Sequence, residues 1–226
     1  MQDMPQNPNQ HQQPSDHEQT LRAWRVIESK ARLSCPMVLD PSTAKRDLPK
    51  STPERTAAMF DEMCIPWDET CYELNRIIAD GIFRSDAPVE FVQVGPIRAV
   101  SMCPHHMLPV IIDVFVGYAP AENITLGLSK VARITQILAK RLITQEDFGR
   151  LLVDALGSIR DRVFDVPCLN SYGATVAMSA THMCMHARGV RSDARVTTLS
   201  SQGDATYLRN KGVHEDRLSR SLLSER

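Results

Sequence analysis

Aromatic side chains are scarce in this chain of 226 residues: at 5% they are too few for the stacking platforms of a single-stranded nucleic-acid binder. Charge of one sign is also lacking. Lys and Arg (26) nearly cancel Asp and Glu (27), giving a formal net charge of −1, which excludes a dominant polyanion-attracting field but leaves room for a local basic pocket. No apolar run approaches the roughly 20 residues that span a bilayer, and the first residues are polar rather than signal-like. The expectation is a soluble, cytoplasmic protein with neither nucleic acid nor membrane as partner. Six cysteines, at positions 35, 64, 71, 103, 168 and 184, come without a secretory segment and read as reduced thiols rather than a disulfide framework. Core material is plentiful, with 42% hydrophobic and 23% charged residues. The length suits one generous domain, or one domain with appendages.

Residues 1–19 hold six Gln and three Pro but no Leu, Ile, Val or aromatic residue. Such a segment cannot offset its ordering entropy by burial and is expected to be a disordered tail, with His11 and His17 solvated. Leu21, Trp24, Ile27 and Ala31 then fall at helical spacing, before Pro36, Pro41 and Pro49 break regular structure. Thr52-Pro53-Glu54 opens a helix to about Met63: Thr52 can cap, Pro53 suits the first turn and Glu54 complements the dipole. A further helix is expected over Cys71–Phe83, with Leu74, Ile77 and Ile78 on one side. From Glu90 the period changes to that of strands, over 90–103 and 109–118, and Pro96 weakens the first or marks a bulge in it.

The run Leu128–Leu142 is helical, with Val131, Ile134, Ile137 and Leu138 as its stripe. Thr144, with Asp147 three residues on, starts another helix that continues through Phe148, Leu151, Leu152, Ala155, Leu156 and Ile159. Segments 172–187 and 195–200 read as strands. Two strands, two helices and two strands make an α+β order. The organisation expected is a tail over 1–19, a helical region over 20–85, a catalytic domain over 86–203 and a polar C-terminal segment over 204–226.

Two clusters carry possible chemistry: Cys103-Pro104-His105-His106 and His182-Met183-Cys184. Zinc favours thiolate and imidazole ligands, and a catalytic site keeps one position open. Cys103 and His106 are three apart, within reach of one turn. On a strand, His182 and Cys184 would share a face. Cys103, His106 and Cys184 could then hold a metal while His105 and His182 stay free for proton transfer. The competing reading makes each cysteine a small core hydrophobe. Gly127 to Arg133 forms a second feature. Ser129 sits at a helix start, where backbone N–H groups favour anions, and Lys130 and Arg133 can face one ligand, with Arg188 as a further cation. The same residues can equally be a solvated helix face.

Ser-Met-Cys-Pro-His-His (101–106), Gly-Leu-Ser-Lys-Val-Ala-Arg-Ile (127–134), Gln-Glu (145–146) and Thr-His-Met-Cys-Met-His-Ala-Arg-Gly-Val (181–190) resemble, in order and separation, the signature blocks of GTP cyclohydrolase I. Thr-Pro-Glu-Arg (52–55) is similar to that family's helix opening. The resemblance spans about residues 50–200. It implies the tunnelling fold, in which subunits join β-β-α-α-β-β units and N-terminal helices into a ring-shaped barrel, usually a homodecamer of two pentamers with sites shared between subunits. It implies Zn2+ on Cys103, His106 and Cys184, and acid–base roles for His182 and His105. Ser129 would assist the ribose rearrangement. Glu146 would pair with the guanine edge, flanked by Gln145. Lys130, Arg133 and Arg188, with Arg55, would contact the triphosphate. The implied reaction converts GTP to 7,8-dihydroneopterin triphosphate and formate, the first step of pterin and folate biosynthesis. Pro104 departs from the family's usual Glu at its position, and His186 is unusual at its own. Two alternatives stay open: a variant enzyme stopping at a formamidopyrimidine, and a silent nucleotide-binding subunit with structural zinc, for which His186 is a conceivable fourth ligand.

Overall fold

A computed structural model describes residues 15–34, 52–160 and 163–203. The tail over 1–14, the prolines at 36, 41 and 49, and the segment 204–226 lie outside the described residues. The chain divides into two compact units, 1–62 and 63–226.

In the first unit, helix α1 (Asp16–Ser34) begins within the stretch expected to be a tail. The reason is a reciprocal cap. The Glu18 N–H donates to Ser15 Oγ at 3.3 Å, and the Ser15 N–H donates to Glu18 Oε2 at 3.1 Å. Together they satisfy two of the backbone donors that a helix start leaves orphaned. Helix α2 (Thr52–Met63) carries Pro53 in its first turn. Trp24 of α1 meets Phe60 of α2 with ring centroids 5.8 Å apart. Ile27, expected in the apolar stripe, is exposed.

The second unit opens with α3 (Trp67–Ala79), which buries Leu74, Ile77 and Ile78. It starts four residues before the expected Cys71, because Pro66 stands just ahead of the first turn and Asp68 and Glu69 complement the dipole. It also stops before Phe83, a correction to the sequence reading. The Asp80 N–H closes the helix onto Arg76 and Ile78 carbonyls, and Gly81 follows with its N–H on the Ile78 carbonyl. Phe83 then lies in β1 (Ile82–Arg84), which pairs antiparallel with β4 (Ile124–Leu126). Strands this short carry no readable alternation.

The main sheet has the order β2 (Val92–Met102), β3 (Pro109–Ala119), β5 (Gly173–His182), β6 (Val196–Gly203), every neighbour antiparallel. The β2–β3 register shifts between Val94 and Ile97, at Pro96. Helices α4 (Leu128–Ala139) and α5 (Gln145–Leu156) follow β4 in the chain. Even-numbered residues of β3 and β5, such as Ile112, Val114, Val116, Val176 and Met178, join one core cluster with Val131, Ile134, Leu138, Phe148 and Leu152 of the two helices. The fold is thus a mixed α/β arrangement of antiparallel sheets with helices packed on one face. The opposite face carries Phe115 against Ala177 and a charged cluster. There Arg98 donates twice to Asp113 Oδ1, and Arg195 donates to Asp113 Oδ2. Burial alone would raise the Asp113 carboxyl, but the hydrogen bonds from Arg195 and Arg98 outweigh it and hold it below the ordinary carboxylate range.

Ile159 does not continue α5, a second correction. Gly157 caps the helix, and a Cβ there would stand 1.9 Å from Gln202 Oε1 and 2.6 Å from the Val153 carbonyl oxygen, so only glycine fits the approach of β6. Among the described residues, no helix is long and apolar enough to cross a membrane.

Candidate metal centre

β2 ends at Met102, and Cys103 opens a tight turn. The Met107 N–H donates to the Cys103 carbonyl at 2.8 Å, and the Cys103 N–H donates to Leu108 O at 2.9 Å. Pro104 occupies the second place of this turn, where its fixed φ is suited and no N–H is needed. The turn folds the imidazoles back over the thiol: His106 Nδ1 lies 3.6 Å and His105 Nδ1 3.9 Å from Cys103 Sγ.

His182 and Cys184 do not share a strand face, the third correction. β5 ends at His182, opposite Val110, and its pairing with β6 already stops at Ala180. With no ladder to continue, the chain winds into the short helix α6 (Met183–His186). This turn sets Cys184 Sγ 3.9 Å from Cys103 Sγ. Cys103, His106 and Cys184 place their ligand atoms within 4.8 Å of one another.

Two thiols and an imidazole are a donor set suited to zinc. Tetrahedral ligation with Zn–S of about 2.3 Å and Zn–N of about 2.0 Å would separate the sulfurs by about 3.8 Å, and sulfur from nitrogen by about 3.5 Å. The observed 3.9 and 3.6 Å match. Burial and the neighbouring Cys103 push the Cys184 thiol up, partly offset by Arg188. A bound divalent cation reverses that balance, because it binds the thiolate. His186, past the site, pairs instead with Asp193, Nδ1 to Oδ1 at 2.8 Å.

Beside the cluster, His182 Nε2 lies 3.0 Å from Gln145 Oε1. Burial lowers the His182 pKa, and the Glu146 carboxylate partly restores it. Gln145 and Glu146 are the first residues of α5, whose N-cap Thr144 accepts from the Asp147 N–H at 3.2 Å. Gln145 is buried, whereas Glu146 is exposed.

Other expected site residues stand apart. The stretch after α4 is zipped to the end of β2: the Met102 N–H donates to Arg141 O, and the Ile143 N–H to Met102 O. The C-terminal end of α4 therefore abuts the metal-ligand turn. Ser129, Lys130 and Arg133 begin at the other end, and the ten helical steps from Ser129 to Ala139 span about 15 Å. Arg188 follows α6 and is exposed, close enough to Cys184 to act on its thiol. Arg55 lies on α2 of the first unit, where it donates to Thr52 Oγ1 at 3.1 Å. Sequence reasoning missed Thr198 and Asp193, which tie Gln145 and His186. Neither sits in a motif, and Thr198 is 53 residues from its partner.

A cysteine–histidine cluster next to a half-buried, singly tethered histidine defines a candidate metalloenzyme. Comparison with known proteins narrows the class. The family description of GTP cyclohydrolase I matches residues 38–220. Curated relatives include proteins named GTP cyclohydrolase 1 2 from Pseudomonas syringae pv. tomato and GTP cyclohydrolase 1 from Methylococcus capsulatus. The first is 35% identical over 150 residues, covering 66% of this chain and 75% of the relative. The second is 33% identical over 150 residues, covering 66% and 74%. A protein named GTP cyclohydrolase 1 1 from Pseudomonas putida is 37% identical over 139 residues, covering 62% and 66%. The chain belongs to the GTP cyclohydrolase I family, a family of enzymes.

Proposed function

We propose that this chain is a zinc-dependent GTP cyclohydrolase that turns GTP into 7,8-dihydroneopterin triphosphate and formate. The observation that carries the reading is the meeting of the Cys103, His106 and Cys184 ligand atoms within 4.8 Å of one another, with His182 two residues before Cys184. Zinc held by these three would supply Lewis acidity and make coordinated water a nucleophile near neutral pH.

The chain's own residues do the rest. His182, half-buried, exchanges a proton with the imidazole part of the purine as it opens, and His105 on the ligand turn is the second acid–base group. Glu146, exposed at the start of α5, accepts from the N–H groups of the guanine edge. Adenine would leave that carboxylate without donors. Lys130, Arg133 and Arg188 bind the triphosphate, and the Ser129 hydroxyl assists proton movement in the ribose rearrangement. The distance of about 15 Å along α4 supports a site completed by a second copy, in a ring built as the tunnelling fold and closing into a decamer. In this account 86–203 is the catalytic domain, 20–85 an N-terminal helical region, and the setting cytoplasmic.

A silent subunit with four protein ligands is less well supported, because Asp193 already engages His186. Mass spectrometry of the products from GTP, beside His182→Ala, tests the reading. Formate and a dihydropterin triphosphate are expected from the wild type. A formamidopyrimidine alone would instead assign a truncated reaction, and zinc-loaded protein giving no product would refute cyclohydrolase activity.

A further inference from the structure

The side chain of Gln145 is buried at the junction of α5, β5 and β6, and each of its polar atoms is engaged by protein. Its Nε2 lies 3.0 Å from the Val196 carbonyl oxygen and 3.0 Å from Thr198 Oγ1. Its Oε1 lies 3.0 Å from His182 Nε2. A backbone carbonyl only accepts, so the amide N–H2 must face Val196, and the amide cannot be turned round. Oε1 therefore faces the imidazole and requires a donor there. That requirement selects the His182 tautomer with its proton on Nε2.

From this geometry we propose that Gln145 is a positioning residue for His182 rather than a contact for the purine. It locks the ring orientation and tautomer, so that Nδ1 is the atom that exchanges protons with the substrate. The inference rests on the cyclohydrolase reading for its catalytic consequence, but not for the hydrogen bonds themselves. An anchor of this kind has a general rationale. An imidazole free to spin about χ2 presents the right nitrogen only part of the time, and a second hydrogen bond removes that loss. The anchor is itself fixed, because β6 holds the amide from the other side.

Gln145→Met keeps the length and burial of the side chain and removes the acceptor. Gln145→Glu keeps an acceptor for Nε2–H and gives up the donors to β6. With zinc-loaded protein and GTP, the Met variant should lose about 10–100-fold in kcat with KM and zinc content within about twofold of wild type, and the Glu variant should recover most of that loss. Solid-state 15N spectra of histidine-labelled protein, with His182→Ala identifying the His182 signals, should show a single Nε2–H tautomer in the wild type and a mixture in Gln145→Met. An unchanged kcat, a KM that rises alone, or a Glu variant as impaired as the Met variant would overturn the proposal. If the Met variant fails to fold, the Glu variant and the wild-type spectrum decide. Should the wild type not turn over GTP, the functional reading fails separately, and a wild-type His182 protonated on Nδ1 would refute the positioning bond on its own.

Discussion

Helix α5 is fastened to β6 at both ends, and the two fastenings differ in kind. At its C-terminal end, Asp154 Oδ2 accepts from the Val163 and Phe164 N–H groups, and Asp154 Oδ1 accepts from Gln202. Gln202 Oε1 in turn accepts from the Ser158 N–H. There the Asp154 and Gln202 side chains bond each other and nearby backbone N–H groups. At the N-terminal end, Gln145 grips Val196, Thr198 and His182, yet the network stops at an imidazole that has a second nitrogen to offer. Two thiols stand beside it at ligand spacing. A buried polar network that closes on itself secures a fold. One that ends on an open donor or acceptor has been left ready for something to bind. A glutamine bridging helix and strand, from the strand at one end and from the helix at the other, thus serves structure in one case and chemistry in the other.

Several substitutions would break or sharpen that contrast. Cys184→Ser, at the open end, should cause the largest change: bound zinc falls to a small fraction of one ion per chain by elemental analysis, and product from GTP drops below detection, while the helical and sheet signals in circular dichroism persist. His182→Ala should retain zinc and lose about 10²–10⁴-fold in kcat; loss of zinc would place it among the ligands instead. Asp154→Ala, at the closed end, leaves the Val163 and Phe164 N–H groups and the Gln202 amide without their acceptor, at a cost of about 1–3 kcal/mol. Denaturant unfolding should report that loss, whereas kcat per folded molecule and zinc content stay near wild type. An Asp154 variant of full stability but low kcat would erase the distinction between the ends. Thr144→Ala should be mildest, about 1 kcal/mol from loss of the N-cap, with a small fall in kcat because the cap sets the start of α5 on which Gln145 stands.

Much of the open end could be read from the order of residues, and the parts that could not have physical reasons. The Val- and Ile-rich runs gave β2 and β3, and Thr144 with Asp147 marked the start of α5, because period and capping are local properties. Cys103, His106 and Cys184 could be named as a set from residue type. The route by which Cys184 arrives could not, since β5 ends where its partners end, and pairing between distant strands is absent from any short window. The short pair β1–β4 and the exit of Phe83 from α3 were hidden for the same reason. Gln145 was expected beside the purine. Its burial and its grip on β6 depend on contacts 51 and 53 residues away, which no spacing rule reports.

The most direct test of the central claim is X-ray absorption at the zinc edge of the zinc-loaded full chain. Two sulfur ligands, one imidazole nitrogen and one further light oxygen are predicted, with both sulfurs reduced to one in Cys184→Ser if any metal remains. A shell of four protein donors, or a chain that retains no zinc after gentle dialysis, would contradict the account.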